Sequence, residues 1–312
     1  MTTFWKNKKV LVTGGTGFIG SSLTPELLER GSVVTIASHA KAEENSNFSE
    51  IKILNADLKN LQDCIEATRN IDIVIHLAAM DGGQKFKKEH AFEILETNTK
   101  ITLNILEASK QNTVKRFLMM SSVDVYPDKV KSPIEEQYGL EGDLDKNRFG
   151  YAWSKRFGEE VAKVYHGRNG LKIAIARTGN VFGPHDLTGL ERTRVIPTFI
   201  HKALNNEDIS ISANNKRSFL YVSDLAESLL ELIEKYAACE AVNLAGVEYI
   251  SLEDLAKLII SISKSKSRII IENKDKNINE RIISTSRAEK VISFSPKITL
   301  ENGIRRLIEE KK

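Results

Sequence analysis

The chain has 312 residues, of which 41% are hydrophobic and 28% charged, and its formal net charge is +3. This length allows two domains or one large α/β unit, and the small net charge gives no reason to expect a nucleic-acid or membrane partner. Two cysteines without metal-ligand spacing, no signal peptide and no apolar run of about 18 residues predict a cytoplasmic protein without a metal.

The first forty residues alternate between β-branched and amphipathic segments. Residues 9–13 predict a strand that ends in the glycine-rich sequence GGTGFIG at 14–20, and helical spacing then continues to Gly31. A second strand is predicted at 32–38. This order of strand, turn, helix and strand indicates a βαβ unit, which implies parallel strands and a right-handed crossover.

The alternation continues as far as residue 178. Further strands are predicted at 51–57, 72–79, 116–122 and 172–178, and helices at 60–69, at about 89–111 and around 151–155. Apolar strands between amphipathic helices are typical of a doubly wound parallel sheet that is covered on both faces. The sequence therefore predicts an α/β fold of this class.

The pattern loosens after residue 178. A loop, a helix at 195–205, two short strands, a helix at about 223–236 and a mixed region at 250–312 follow. We interpret this part as a smaller lobe that closes over the carboxyl edge of the sheet. The Lys-rich stretches 85–88 and 264–268 are interpreted as solvated surface.

Gly14, Gly17 and Gly20 lie between a predicted strand and a predicted helix. Glycines there allow a tight turn and let backbone N–H groups approach a pyrophosphate at the helix N-terminus. A plain turn would explain the glycines but not their place within a βαβ unit. The motif therefore predicts a dinucleotide site.

Tyr151 and Lys155 in the segment YAWSK are four positions apart, so both lie on one face of a helix. A phenolate near neutral pH needs its pKa lowered by about three, or roughly 4 kcal/mol, and both Lys155 and an oxidised nicotinamide would favour it. Tyr151 could then take a hydroxyl proton while hydride leaves the same carbon. The alternative, in which Tyr151 only packs beside Trp153 and Phe157, leaves the glycine loop unexplained.

Several segments resemble the extended short-chain dehydrogenase/reductase family. These segments are TGGTGFIG at 13–20, HLAA at 76–79, SS…VY at 121–126, YAWSK at 151–155, RTGNVFGP at 177–184 and RSFLYVSDLAE at 217–227. The last two are similar to the nucleotide-sugar epimerases and dehydratases of that family. The resemblance implies a Rossmann domain that binds NAD(P), at 1–178 with about 215–247. It also implies a C-terminal lobe for a nucleotide-diphosphate sugar, at 179–214 and 248–312.

The resemblance also implies roles for single residues. Tyr151 would be the acid/base, Lys155 would hold the nicotinamide ribose, and Ser122 would bind the sugar hydroxyl or ketone. The implied cofactor contacts are Gly14, Thr16, Gly17, Phe18, Ile19, Gly20, Ser38, Lys41, Asp57, Leu58, Leu77, Ala78 and Ala79. The implied substrate contacts are Gly83, Ser122, Asn180 and Arg217, the last two on the diphosphate, where Arg can pair in a bidentate manner. The long helix around 89–111 implies a homodimer.

The end of the second strand indicates the cofactor. An acidic residue at this place would bind the ribose 2′-hydroxyl of NAD. The sequence has Ser38 there, followed by His39 and Lys41. A hydroxyl and a cation tolerate a 2′-phosphate, so NADP is favoured over NAD, unless these residues form only a solvated loop.

Asp124 and His185 bear on the reaction. In the family, dehydratases usually carry glutamate two positions before the residue that matches Tyr126, whereas GDP-fucose synthase-like enzymes and GDP-mannose 3,5-epimerases carry cysteine. A carboxylate at 124 suits a second acid/base acting beside a C4 ketone, and the alternative is a capping residue. AAMDGG at 78–83 and His185 resemble the GDP-sugar enzymes.

The sequence therefore predicts an NAD(P)-dependent nucleotide-sugar epimerase or epimerase/reductase that acts through a 4-keto sugar. A 4,6-dehydratase and a simple 4-epimerase remain as enzymatic alternatives. A dinucleotide-binding sensor without turnover is the alternative from another class, although such modules tend to lose the Tyr or the Lys.

Overall fold

Short apolar strands form the centre of the structure, a computed structural model that describes residues 3–39, 51–186, 194–211, 215–272 and 281–311. Up to residue 178 the strands are β1 (Lys9–Thr13), β2 (Val33–Ser38), β3 (Lys52–Asn55), β4 (Ile73–His76), β5 (Arg116–Ser122) and β6 (Lys172–Thr178). The later strands are β7 (Asn180–Phe182), β8 (Ile209–Ile211), β9 (Lys216–Tyr221), β10 (Ala238–Leu244), β11 (Tyr249–Ser251) and β12 (Ile269–Ile271).

The helices connect and cover these strands. Those of the first half are α1 (Phe18–Glu29), α2 (Leu61–Ala67), α3 (Gln84–Glu89), α4 (Ala91–Gln111) and α5 (Phe149–Asn169). Those of the second half are α6 (Val195–Leu204), α7 (Val222–Lys235), α8 (Leu252–Ser263), α9 (Ser286–Ile292) and α10 (Leu300–Glu309). The helix predicted at about 89–111 is α4, and a short helix that was not predicted, α3, precedes it and is separated from it by His90.

The main sheet has the strand order β10-β6-β5-β4-β1-β2-β3, and every pair in it is parallel. Its central strands are buried on both faces, as Val10, Leu11 and Val12 at 0% exposure illustrate. This confirms the predicted doubly wound fold. The strand order reverses between β1 and β4, and in such sheets ligands bind at the carboxyl ends of the strands beside that reversal.

The core is divided into separate clusters of apolar side chains. One face of the main sheet packs against α1 and α7, for example through Leu23 and Leu229, and the other against α2, α4 and α5, for example through Ile105 and Ala162. A third cluster joins α6, α8 and α10 to the short strands β7, β8 and β9. Within the described ranges, no helix combines the length and the apolar character needed to span a membrane.

Helix α5 is fixed to the sheet by a buried ion pair. Glu159 on α5 binds the Arg177 guanidinium of β6 with N···O distances of 2.6 and 2.9 Å, and both side chains are almost completely buried. Glu159 also accepts a hydrogen bond from Ser121 of β5, and Arg177 donates to the Tyr126 hydroxyl. One turn earlier on the same helix lies Lys155, so this ion pair fixes the rotation of α5 about its axis.

We predict that Glu159→Gln destabilises the protein by about 3 kcal/mol or more, because it leaves the buried Arg177 charge without its counter-ion. Glu160→Gln is the matched control, since Glu160 forms an exposed pair with Lys163, and such pairs contribute about 1 kcal/mol or less. Urea-induced unfolding of the two variants measures the difference. Equal losses in both would contradict the role given to the Glu159–Arg177 pair.

Candidate active site

The glycine loop after β1 forms a cradle at the N-terminus of α1. Gly14 has φ +70°, and a Cβ on it would lie 2.9 Å from the Ala78 backbone nitrogen, so glycine is required there. A Cβ on Gly20 would collide with the Gly14 carbonyl oxygen. Helix α1 begins after Gly17, with no side-chain cap and no acidic residue in its first turn. Its first N–H groups and its dipole are therefore available to a pyrophosphate, which fits the predicted dinucleotide.

A buried histidine joins this loop to the neighbouring one. Thr13 at the end of β1 hydrogen-bonds His76 Nδ1 at 2.8 Å, and the Ala78 N–H donates to the Thr13 hydroxyl at 3.3 Å. Burial, together with the Lys155 charge, lowers the pKa of His76 to about 3, so this imidazole is neutral. These contacts fix the chain that follows β4 against the glycine loop.

The remaining residues predicted to contact the cofactor lie along the same edge of the sheet. Ser38 ends β2, Asp57 and Leu58 follow β3, and Leu77 to Ala79 follow β4. Thr16 is exposed in the glycine loop, and Phe18 and Ile19 open α1. Lys41 lies outside the described residues. Because these described residues lie along one edge of the sheet, a single dinucleotide could contact all of them.

Tyr151 and Lys155 project from α5 towards the carboxyl end of β5. The Lys155 ammonium donates to the Met120 carbonyl at 2.9 Å and lies 5.5 Å from the centroid of the Tyr151 ring. Burial lowers the pKa of Lys155 to about 8. Ser122 ends β5 two residues after Met120, and its hydroxyl accepts a hydrogen bond from the Asp124 N–H at 3.1 Å. The three residues Ser122, Tyr151 and Lys155 are thus carried by one strand end and the helix packed on it.

The pKa of the Tyr151 phenol is higher in the structure than the sequence analysis required for a phenolate. Tyr151 is 8% exposed, and burial raises its pKa above the ordinary value. The carboxylates of Asp81 and Asp124 raise it further, whereas Lys87 and Arg194 lower it. Without the positive charge of an oxidised nicotinamide, these surroundings therefore favour the phenol over the phenolate at Tyr151.

Lys87 corrects the interpretation of 85–88 as solvated surface. Lys85 and Lys88 are exposed, but Phe86 is buried and the Lys87 side chain is only 12% exposed. The Lys87 ammonium lies 3.7 Å from the centroid of the Tyr151 ring. It is also 2.9 Å from Asp124 and 3.1 Å from Asp81. A short helix that is mostly polar thus sends one lysine into the site.

Asp124 is held between two cations. One oxygen is 2.9 Å from Lys87 and the other 2.5 Å from the Arg148 guanidinium. Burial alone would raise the pKa of Asp124, but Lys87 and Arg148 outweigh it, so the pKa lies well below the ordinary value. A carboxylate held ionised in this way is a weak base. The geometry therefore suits a counter-ion better than a group that takes a proton from carbon.

The pairs around Asp124 extend across the site. Arg148 also binds Asp145 at 3.0 Å, whereas Asp81 binds Arg194 at 3.1 Å, and Arg194 binds the buried Asp186 at 2.6 Å. Arg194 also lies over the Phe18 ring, 5.3 Å from its centroid. We call this series the charge chain, and its members in order are Asp186, Arg194, Asp81, Lys87, Asp124, Arg148 and Asp145.

A group of arginines stands beside the charge chain. Burial lowers the pKa of both Arg217 and Arg281, and the nearby charge of Arg148 lowers each further. Among the described residues, no carboxylate is paired with Arg217, which makes it available to an anion. Asn180 is exposed, and its amide donates to the Ser218 carbonyl next to Arg217. Gly83, the other predicted substrate contact, precedes α3.

His185 is placed differently from Tyr151 and Asp124. It is exposed, its φ is +62°, and within the described part of the chain no contact connects its ring to Tyr151 or Asp124. Its neighbour Asp186 is the buried residue, and it belongs to the charge chain.

The sequence analysis missed several of these residues. Asn98 on α4 binds the Met80 backbone through both its oxygen and its nitrogen, and its amide also reaches Ser154 on α5. Lys87 and Arg148 have no signal in the sequence. Asp81 has one, since it is a charged residue before two glycines in the segment after β4, and ligands of parallel sheets bind beyond the carboxyl ends of the strands.

We predict that Gly20→Ala weakens NAD(P)H binding at least tenfold, about 1.4 kcal/mol, because the new methyl group displaces the loop that faces the pyrophosphate. Gly167→Ala on α5 is the control, since a Cβ there meets nothing within 4 Å. Fluorescence titration measures binding, and thermal unfolding shows whether each variant is folded. Unchanged affinity in folded Gly20→Ala would exclude the loop as the dinucleotide cradle.

Comparisons with known proteins agree with this arrangement. The model of the NAD dependent epimerase/dehydratase family matches residues 10–245. A dTDP-4-dehydro-6-deoxy-D-allose reductase from a Streptomyces species is 31% identical over 303 residues, which cover 94% of this chain and 93% of that protein. GDP-mannose 3,5-epimerase from Arabidopsis thaliana is 27% identical over 312 residues, which cover 97% of this chain and 82% of that protein.

A solved structure has the same fold. UDP-glucose 4-epimerase from Thermotoga maritima, crystallised with UDP-glucose, matches with a TM-score of 0.87 at 24% identity. The match covers 96% of this chain and 97% of that one. The resemblance found in the sequence motifs is confirmed: the chain belongs to the NAD dependent epimerase/dehydratase family.

Proposed function

We propose that this enzyme reduces a 4-keto nucleotide-diphosphate sugar with NAD(P)H, as a 4-ketoreductase or as the reducing half of an epimerase/reductase. The observation that carries the proposal is the buried Tyr151, which burial and two carboxylates keep as a phenol, on the helix that also carries Lys155 and that packs on the strand ending at Ser122. Reduction needs an acid at this position, whereas oxidation needs a base. The whole-length similarity to a reductase of a 4-dehydro sugar supports the same direction.

The reduction divides between the cofactor and the side chains. When bound, the reduced nicotinamide supplies the hydride to C4 of the sugar. Ser122 and Tyr151 hydrogen-bond the ketone oxygen, and the Tyr151 hydroxyl gives it the proton that completes the alcohol. The Lys155 ammonium stabilises the phenolate that remains until solvent reprotonates it. It also binds the nicotinamide ribose.

We propose that the substrate lies between the two parts of the chain. Residues 1–178 with about 215–247 would bind the dinucleotide, and 179–214 with 248–312 would bind the nucleotide sugar. Arg217 and Arg281 are suited to the diphosphate. Their guanidinium groups lie near Arg148 but do not belong to the charge chain, so they can pair with phosphate oxygens. Asn180 and Gly83 would complete this contact.

Asp124 separates simple reduction from epimerisation. We propose that it is the counter-ion of Lys87 and Arg148, which its two ion pairs support. A 3,5-epimerase needs instead a base that removes a proton from C3 or C5. The similarity to GDP-mannose 3,5-epimerase supports epimerisation as the second candidate function. His185 would be its partner only if the loop of 183–186 turned towards the sugar.

We predict that Tyr151→Phe loses about 10²–10⁴-fold in the rate of 4-keto sugar reduction, because it removes only the transferable proton. Nicotinamide absorbance measures the rate against 4-keto sugars linked to GDP, UDP, CDP or dTDP. The product made in D₂O is then examined by NMR. If Asp124 is a counter-ion, no deuterium is found at C3 or C5.

Two outcomes would contradict the proposal. Deuterium at C3 or C5 that disappears in Asp124→Asn would make Asp124 an acid/base and favour the epimerase/reductase. Dinucleotide binding without turnover on any sugar of the panel would favour a sensor. A Tyr151→Phe variant that keeps more than about a tenth of the rate would exclude Tyr151 as the principal acid.

We propose a homodimer formed through α4 and α5. Phe149, Trp153 and Phe157 recur every four residues on α5 and are 36–48% exposed, and Phe92 on α4 is 73% exposed. These two helices pack on each other, and the Phe149 and Trp153 rings are 6.1 Å apart, so we propose that the four aromatic side chains form one apolar face. A second copy of the same face is the partner that would bury it symmetrically.

We propose NADP(H) as the preferred cofactor, because the residue that ends β2 is Ser38 and not an acidic residue that would repel a 2′-phosphate. We predict that NADP(H) binds more tightly than NAD(H) and that Ser38→Asp reverses the preference by charge repulsion. Fluorescence titration with both dinucleotides measures this, and NAD(H) binding to the same variant is the internal control. A tenfold preference of the unmodified protein for NAD would contradict the proposal.

A further inference from the structure

Lys87 occupies an unusual place for an ammonium group. It lies over the face of the Tyr151 ring at 3.7 Å from the centroid, well within the distance of about 6 Å at which a cation is attracted to a ring face. Lys155, the other ammonium near this ring, is 5.5 Å away and donates to a carbonyl. Lys87 is therefore the nearer of the two cations to the ring of the proposed acid.

Two carboxylates keep Lys87 in that place. Asp81 approaches from the segment after β4 and Asp124 from the turn after β5. Burial would lower the pKa of Lys87, but Asp124 and Asp81 outweigh it, so the pKa is raised and the ammonium stays charged. One carboxylate would be enough to neutralise a buried lysine. The second fixes the direction of the side chain, and that direction is the Tyr151 ring.

We propose that Lys87 is a positioning residue that sets the proton affinity of the Tyr151 hydroxyl from the face of its ring, with Asp81 and Asp124 as its holders. When the phenol loses its proton, negative charge spreads into the ring, and a cation on the ring face stabilises that charge. Without Lys87, Tyr151 would be a much weaker acid. The inference rests on the proposed function only for its effect on turnover.

Charges of both signs surround the hydroxyl, so the sign of each substitution can be stated. The charged groups that face Tyr151 are Lys155 on its own helix, Lys87 on α3, Asp81 before α3, Asp124 after β5 and Arg194 before α6. Lys87→Met removes a cation and leaves two carboxylates without it, so the pKa of Tyr151 rises. Asp124→Asn removes an anion at constant shape, so the pKa falls. A general loss of packing would not produce opposite signs.

The test is a direct titration of the residue. A trifluorotyrosine, whose phenol is more acidic than that of tyrosine, is incorporated at position 151 and followed by fluorine NMR in the full chain. We expect Lys87→Met to raise the titration midpoint by about one pH unit or more, the size of effect of a charge at 4–6 Å. Lys85→Met is the control, because Lys85 lies on the same helix with an 86% exposed side chain. Lys87→Arg keeps the positive charge, so its titration midpoint should lie close to that of the protein with Lys87.

Several results would overturn the inference. An unchanged midpoint in folded Lys87→Met excludes it, and so does a midpoint in folded Lys87→Arg that is raised as far as in Lys87→Met. If Lys87→Met does not fold, Lys87→Gln decides, since its amide can still hydrogen-bond Asp81 and Asp124 but carries no charge. The alkaline limit of the reduction rate should move with the NMR midpoint in each variant. A shifted midpoint in a protein without reductase activity would leave the role of Lys87 intact and remove the proposed function.

Discussion

Glu159 and Arg177 form an ion pair that is almost completely removed from solvent, and the position of the site depends on it. Such a pair is costly to break, because either charge alone would stay buried without a partner. It holds α5 by its middle, and Lys155 and Tyr151 follow at one and two turns towards the helix N-terminus. The hydrogen bond from Lys155 to the Met120 carbonyl continues the same alignment along β5. The rotation of α5 about its axis therefore determines where Tyr151, the proposed proton donor, lies.

The charge chain allows many charged side chains to lie close together in the site. Each of its carboxylates touches one or two cations, so the buried ions of the chain neutralise one another within 2.5–3.1 Å. Arg217 and Arg281 stand outside this series. The proposed diphosphate would therefore bind to them without breaking an ion pair of the charge chain. The same arrangement leaves Asp124 with two partners and little capacity to take a proton.

Much of the fold could be predicted from the sequence, because the alternation of strands and helices and the glycine motif are local patterns. The positions of Ser122, Tyr151 and Lys155 depend on one helix and one strand end, and the motif that contains them is contiguous. Lys87 could not be predicted in this way. Its helix has six residues, too few for a clear apolar face. The lysine of this helix that pairs with Asp81 and Asp124 is Lys87, and these two carboxylates come from segments that follow β4 and β5.

The protonation of Tyr151 shows why this difference matters for the reaction. The sequence shows one lysine beside the phenol and predicts that the anion is favoured. The structure adds burial and two carboxylates, which favour the neutral form, and two further cations, which oppose it. With reduced, uncharged nicotinamide in place, the balance favours a phenol that donates its proton. With the oxidised, positively charged ring, it moves towards the phenolate. The proposed reduction therefore depends on the reduced cofactor as well as on the protonated phenol, and the reverse oxidation would need the positive charge of the oxidised ring.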